Sequence, residues 1–168
     1  HQIQPASTAE AIATCPGSVI GKGTFAAHVV LPEQSPFPSD GEVVAFNGVF
    51  NGRHVVYAHV YGTVPLPQSN VLVFELGRTH EGAYRTTLTA ALPQVAAEWG
   101  YVSNVSLTLK RIFTYKGKTK SFISAGCPAP AGFPGATYSF ARASFGFEDG
   151  RTLAATMTRS CGVGDSPG

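Results

Sequence analysis

The sequence predicts an all-β fold: an antiparallel two-sheet sandwich, immunoglobulin-like or jelly-roll-like, with one short N-terminal helix. Apolar residues make up 43% of the 168 positions and charged residues only 13%, so a core is available and disorder is not expected. Segments in which apolar and polar residues alternate are separated by turn-forming residues at short intervals. Helical patterns between these segments are missing, which argues against a parallel α/β sheet. We expect one domain over residues 1–168.

The predicted helix lies in a lead-in over residues 1–16. Ser7 can act as its N-cap, with Glu10 three residues later in a capping-box pattern. Pro16 and Gly17 then end the helix.

Strands are expected over most of the remaining chain. Gly21 and Gly23 predict a kink or bulge in the first strand. The predicted strands cover residues 19–31, 42–46, 53–61, 70–76, 84–92, 102–115, 121–125, 137–147 and 152–159, and a Pro/Ser-rich loop covers 32–41. The predicted turns are Asn47-Gly48, Asn51-Gly52, Lys116-Gly117-Lys118 and Glu148-Asp149-Gly150.

Alternation also predicts which side chains face a core. Val105, Leu107 and Leu109 share one face of their strand, and Leu153, Ala155 and Met157 share one face of theirs. Each set is expected to be buried against a second layer, with the polar residues between them facing water.

The net charge of +2 is too small to indicate a nucleic-acid partner or an anionic membrane surface. One local run is basic: Lys110, Arg111, Lys116, Lys118 and Lys120. We interpret it as a solvated hairpin tip whose lysines protect a strand edge. No run of eighteen apolar residues occurs, so no membrane span is predicted.

Low charge and abundant Gly, Pro, Ser and Thr predict a secreted, extracellular or cell-envelope protein. A start at His1 fits a mature chain whose leader has been removed, and a remnant of cloning would give the same start. Cys127 and Cys161 bracket a predicted hairpin and are expected to form a disulfide. Cys15 is left over, either as a free thiol or for a partner elsewhere. The cysteine spacing fits no zinc template.

Motifs with a reaction mechanism are weak in this sequence. A Gly-x-Ser-x-Gly elbow does not occur, and residues 123–127 resemble only part of one. Gly21-Lys22-Gly23-Thr24 lacks the glycine spacing and the helix of a phosphate-binding loop. Whether the protein is an enzyme stays open at this point.

His1 is the one residue that suggests a metal. An N-terminal histidine offers an amine and an imidazole nitrogen, and a second imidazole would complete a copper site. This arrangement resembles the histidine brace of lytic polysaccharide monooxygenases and related small copper proteins. His59 is the candidate second ligand, with His28 as a further option; without such a site no cofactor is expected.

Exposed aromatic residues could bind a glycan. Tyr57 and Tyr61 flank His59 on one strand face, and Trp99 precedes another strand. Core packing would explain the same residues equally well, so both interpretations stay open.

Five segments resemble, in the same order, a group of secreted actinobacterial β-rich proteins, most of uncharacterised function. The segments are 15–23 (CPGSVIGKG), 45–48 (AFNG), 106–109 (SLTL), 127–128 with 132–133, and 145–150 (FGFEDG) running on to Cys161. The resemblance concerns turns, strands and cysteines and therefore implies a fold. It implies no catalytic residue.

From the sequence we expect a secreted, non-catalytic β-sandwich that acts in the cell envelope or binds an extracellular component such as a polysaccharide. The alternative is a small secreted copper protein or copper oxidase that uses His1 as a ligand. The oligomeric state is not predicted.

Overall fold

The computed structural model describes residues 5–92, 100–123 and 135–161. Of these residues 63% lie in strands, and the sheets are antiparallel with one short α-helix. The prediction of an antiparallel all-β fold with one short helix is therefore confirmed. No helix in the described part of the chain is long and apolar enough to cross a membrane.

The described residues fall into two compact units. The first runs up to Leu76 and from Leu88 to Ile123, and the second takes Gly77–Thr87 and the residues from Gly135 onward. The elements are α1 (Thr8–Thr14), a 3-10 turn (Pro16–Ser18), β1 (Val19–Val29), β2 (Phe37–Phe50), β3 (Arg53–Gly62), β4 (Gln68–Arg78), β5 (Thr86–Thr89), β6 (Gly100–Leu109), β7 (Ile112–Tyr115), β8 (Lys118–Ser121), β9 (Thr137–Gly146) and β10 (Thr152–Ser160).

Helix α1 begins with the predicted cap. Ser7 Oγ accepts a hydrogen bond from the Glu10 backbone N–H at 3.2 Å. The Glu10 carboxylate accepts in turn from the Ala6 N–H at 2.7 Å, one residue before the cap itself. Both bonds satisfy backbone donors that a helix N-terminus leaves unpaired.

Strands β1 to β6 form one sheet in the order β5-β4-β3-β2-β1-β6. The predicted irregularity in β1 is present, because the register with β2 shifts between Val19 and Gly21. Glycine at positions 21 and 23 also allows β6 to lie close to β1. A Cβ at Gly21 would stand 2.6 Å from the Leu109 side chain, and one at Gly23 would stand 2.8 Å from Leu107 Cα.

Both faces of β2 are buried. Val44 and Phe46 pack on one face with Ala11 of α1. Ala45, on the other face, packs with Ile20 and Val56. Because alternate residues of a strand point to opposite faces, the central strand of this sheet needs apolar side chains at consecutive positions.

The predicted turn at Asn47-Gly48 is wrong, since β2 continues to Phe50 and the chain reverses at Asn51-Gly52. These two residues have positive φ angles of 49° and 76°, as a two-residue hairpin turn requires. Gly48 instead lies under the Tyr57 ring, where a Cβ would stand 2.5 Å from Tyr57 Cε2.

The predicted strand over 102–115 is two strands, β6 and β7. The break occurs because the Lys110 N–H donates to the Ile20 carbonyl at 2.9 Å, while the Arg111 guanidinium donates to the carbonyls of Gly17 and Val19. Further bounds differ as well. β5 covers only Thr86–Thr89 of the predicted 84–92, β8 covers Lys118–Ser121 instead of the predicted 121–125, and β2 begins at Phe37, inside the predicted loop.

Strands β9 and β10 form the predicted hairpin of the second unit, closed by a turn with Gly150 at φ +82°. Arg142 of β9 pairs with Glu81 at 2.9 Å in the same unit. The expected burial of alternate apolar residues is observed only at Leu109, which is partly buried and packs against the cluster of Ile20, Ala45 and Val56. Leu153 is 57% and Met157 50% exposed, and Val105 of β6 is 59% exposed. Alternation specified the strands but not whether a second layer covers them.

Candidate functional site

His59 is the most buried of the candidate site residues. It lies in the middle of β3 and is 2% exposed. Its strand neighbours across the sheet are Val44 of β2 and Val71 of β4. Residues 57, 59 and 61 alternate onto one face of β3, the face on which α1 packs through Ala11 and Tyr57.

The two ring nitrogens of His59 differ in their surroundings. Nε2 lies 2.7 Å from Ser69 Oγ and 3.4 Å from the Pro5 carbonyl oxygen. Nδ1 is buried and has no hydrogen-bond partner among the described residues. A proton on Nε2 lets the ring donate toward both oxygens, and it leaves Nδ1 as an unprotonated, buried lone pair.

A serine next to a histidine is the start of a nucleophile–base pair. In hydrolases the second ring nitrogen is held by a carboxylate, which orients the base. Here no described carboxylate lies within hydrogen-bond distance of Nδ1. The Ser69–His59 pair therefore has two of the three members of such a triad, and its geometry is that of a buried structural hydrogen bond.

His1 lies outside the described residues, so its copper-ligand role stays a prediction. Among the described residues of the N-terminal segment, Pro5 lies beside His59, with its carbonyl oxygen 3.4 Å from Nε2. The other described histidines lie elsewhere: His28 stacks on Tyr101 with ring centroids 5.3 Å apart, and His54 and His80 are exposed. In the described ranges no three His, Cys, Asp or Glu side chains gather as metal ligands would.

The aromatic residues predicted to bind a glycan are only partly exposed where the structure describes them. Tyr57 is half-buried against the α1 cluster and donates from its hydroxyl to the Val49 carbonyl at 3.0 Å. Tyr61 is also half-buried, and Trp99 lies outside the described residues. The structure thus places the two described tyrosines on the helix-packed face of β3.

Of the predicted disulfide, only Cys161 is described. Cys161 is 7% exposed, and its backbone exchanges hydrogen bonds with the 135–136 segment, at 2.9 and 3.0 Å. Cys127 lies outside the described residues, so the pairing stays a prediction. Cys15 is exposed and free.

A different surface combines exposed aromatic rings with positive charge: the β7–β8 hairpin. Its turn is Lys116-Gly117, with φ angles of 50° and 73°, which suit a two-residue hairpin turn. The turn fixes the register, so Phe113 lies opposite Lys120 and Tyr115 lies opposite Lys118. All eight strand residues are exposed.

Directly opposed residues of an antiparallel pair point to the same face. Phe113, Tyr115, Lys118 and Lys120 therefore share one face, which we call the aromatic–lysine face. Phe113 is 39% and Tyr115 57% exposed. Lys116 adds a third ammonium, 5.4 Å from the centre of the Tyr115 ring.

The base of this hairpin is fixed to the first unit. Phe122, directly after β8, packs against the cluster of Ile20, Ala45 and Val56, and its N–H donates to the Arg111 carbonyl at 2.9 Å. With the guanidinium of Arg111 on the carbonyls of Gly17 and Val19, both ends of the hairpin are anchored. The exposed face therefore projects from a fixed support.

The concave surfaces found among the described residues are shallow. One is lined by residues of β1, β2 and β6, with Asp40 and Glu42 as its acidic groups, and another by residues around Gly21 and Lys110. Neither contains a histidine or a cysteine.

Sequence reasoning found the lysines of the β7–β8 hairpin but missed the face that they share with two aromatic rings. The signal was available, because a two-residue turn at Lys116-Gly117 sets the cross-strand pairs. No protein-family model, curated protein or solved structure matches this chain.

Proposed function

We propose that this protein is a secreted, non-catalytic β domain that binds an extracellular polysaccharide or another component of the cell envelope. The observation that carries the proposal is the aromatic–lysine face, on which two exposed rings stand beside two exposed ammonium groups. Aromatic side chains offer a large contact area at a small cost in conformational entropy, which suits the flat faces of sugar rings.

Composition supports the extracellular part of the proposal. Few charges and abundant Gly, Pro, Ser and Thr are consistent with secretion, as is the pairing of Cys127 with Cys161 that we propose. The resemblance to secreted actinobacterial proteins rests on turn and cysteine positions and points to the same compartment.

The two-sheet sandwich is part of this proposal. Its support is the burial of both faces of β2. α1 covers one face, and on the other face Ala45 and its neighbours in the same sheet, Ile20 and Val56, are at most 4% exposed. A sheet that is apolar on both sides needs a layer on each.

Co-sedimentation with insoluble polysaccharides tests the binding function. We expect the purified protein to pellet with at least one envelope or extracellular polysaccharide in a panel of neutral and acidic polymers, and to release no soluble sugar from it. Failure to pellet with every polymer would contradict the proposal, and the appearance of shortened products would show an enzyme instead.

One observation favours the alternative copper function: His59 has a buried ring nitrogen, Nδ1, without a partner among the described residues, and its other ring nitrogen, Nε2, lies 3.4 Å from the carbonyl oxygen of Pro5, four residues after His1. The amine and the imidazole of His1, together with the imidazole of His59, would offer three nitrogen ligands, a set that suits Cu(II). Copper titration followed by electron paramagnetic resonance tests it, on protein whose first residue is His1. If copper binds at His1, the spectrum of His1→Ala should differ from that of wild type. His54→Ala, which alters an exposed histidine, is the control and should leave the spectrum unchanged. Identical spectra for wild type and both variants would end the hypothesis.

A further inference from the structure

We propose that the aromatic–lysine face of the β7–β8 hairpin binds an acidic polysaccharide, one whose sugars carry carboxylate, sulfate or phosphate groups. This inference rests on the proposed binding function and names the class of its ligand. The hairpin would take the polymer along the face formed by Phe113, Tyr115, Lys118 and Lys120.

Among the described residues, no carboxylate pairs with the lysines of this hairpin. Five of the twelve Lys and Arg residues lie between positions 110 and 120, and no acidic residue occurs between Glu98 and Glu148. The ion pairs of the described residues involve Arg53, Arg142 and Arg151, and none involves Lys118 or Lys120. Two ammonium groups without carboxylate partners are therefore available to an anionic ligand.

Rings and charges alternate across the two strands instead of separating onto opposite faces. Phe113 and Tyr115 belong to β7, and the lysine opposite each of them belongs to β8. The other face carries Ile112, Thr114, Thr119 and Ser121. A ligand that covers the aromatic–lysine face must present a flat, weakly polar surface and a negative charge within one strand spacing, about 5 Å.

This mixture favours an acidic sugar polymer over a membrane. A surface that inserts into a bilayer keeps its lysines away from its aromatic and aliphatic side chains, so that only the apolar face enters the acyl region. On this hairpin the insertion of Phe113 and Tyr115 would carry Lys118 and Lys120 with them. A sugar ring that bears a carboxylate matches both groups at once, because the ring can lie on an aromatic side chain while the carboxylate meets the ammonium group.

The test compares polygalacturonate, a carboxylated polysaccharide, with neutral dextran by affinity electrophoresis or calorimetry. Lys118→Gln/Lys120→Gln should weaken binding to polygalacturonate by about tenfold, because two exposed charge contacts with the carboxylates are lost. Tyr115→Ala should weaken it by about three- to tenfold. Raising the salt concentration should weaken wild-type binding, because exposed charges are screened.

Matched controls separate a local effect from a change in net charge or in stability. Lys22→Gln/Arg78→Gln removes the same charge from two exposed positions elsewhere, and Tyr101→Ala removes a tyrosine that is 53% exposed, close to the 57% of Tyr115. Both controls should bind like wild type. All variants are compared by circular dichroism and thermal unfolding, which should not change because the substituted side chains are exposed.

The outcomes distinguish this inference from the proposed function. If the protein binds polysaccharides but the hairpin variants bind as well as the controls, the hairpin assignment is wrong and the binding function stands. If wild type binds dextran as tightly as polygalacturonate, the acidic class is wrong. Tighter binding to anionic phospholipid vesicles or to a single-stranded oligonucleotide would overturn the choice of polysaccharide, and binding to no polymer would overturn both proposals.

Discussion

His59 shows how one buried polar side chain can be explained by packing or by chemistry. Its Nε2 is hydrogen-bonded to Ser69 at 2.7 Å, and its Nδ1 is buried without a described partner. A buried polar atom without a partner costs free energy, so the hydrogen bond that His59 does make should matter for stability.

Replacing Ser69 with alanine should therefore lower the free energy of unfolding by about 1–3 kcal/mol, because His59 Nε2 would lose its short hydrogen bond in a buried position. Urea unfolding measures the change. Ser106→Ala is the control, since Ser106 is exposed on β6, and it should stay within about 0.5 kcal/mol of wild type. Equal stability of the two variants would show that the Ser69–His59 contact contributes nothing.

At the scale of elements, the turns and glycines decide where strands end and how closely they approach. Asn51-Gly52 and Lys116-Gly117 form two-residue turns because both residues of each pair adopt positive φ. The sequence predicted both turns. It could not exclude Asn47-Gly48, because whether an Asn-Gly pair turns or stays extended depends on the cross-strand neighbour, here the Tyr57 ring over Gly48.

The boundary between β6 and β7 could not be predicted from the sequence either, because it also depends on distant neighbours. Residues 102–115 are β-rich throughout, and the break at Lys110-Arg111 depends on hydrogen bonds to residues 17–20, more than ninety positions away for the guanidinium of Arg111. The burial of β6 was likewise unpredictable from alternation alone, because exposure depends on the layer that covers a strand. The candidate face of the β7–β8 hairpin, by contrast, follows from local register and was accessible from the sequence.

Gly23→Ala should destabilise the sheet by about 1–3 kcal/mol or more, because a Cβ there would collide with the Ser106 carbonyl oxygen and force β1 and β6 apart. Gly146→Ala is the matched control in a strand: a Cβ at Gly146 meets nothing within 4 Å. Thermal unfolding of the two variants checks the difference. A Gly23→Ala protein as stable as Gly146→Ala would contradict the close approach of the two strands.

For the molecule as a whole, we expect an oxidised extracellular protein with one free thiol. Under non-reducing conditions a digest should contain a peptide pair linked through Cys127 and Cys161, and Cys15, which is exposed and free, should react with an alkylating reagent in the folded protein. Cys161→Ser should lower the unfolding free energy by about 3–4 kcal/mol through the lost cross-link. Recovery of Cys15 in a disulfide with either residue would refute the pairing.

A nuclear magnetic resonance titration of the ¹⁵N-labelled protein with oligogalacturonate tests directly whether this β domain binds an acidic polysaccharide through the β7–β8 hairpin. We expect the largest amide shifts within β7 and β8, Ile112–Tyr115 and Lys118–Ser121, and at the turn between them. Shifts that cluster instead around Tyr57, His59 and Tyr61, or no shifts at saturating oligosaccharide, would contradict this expectation.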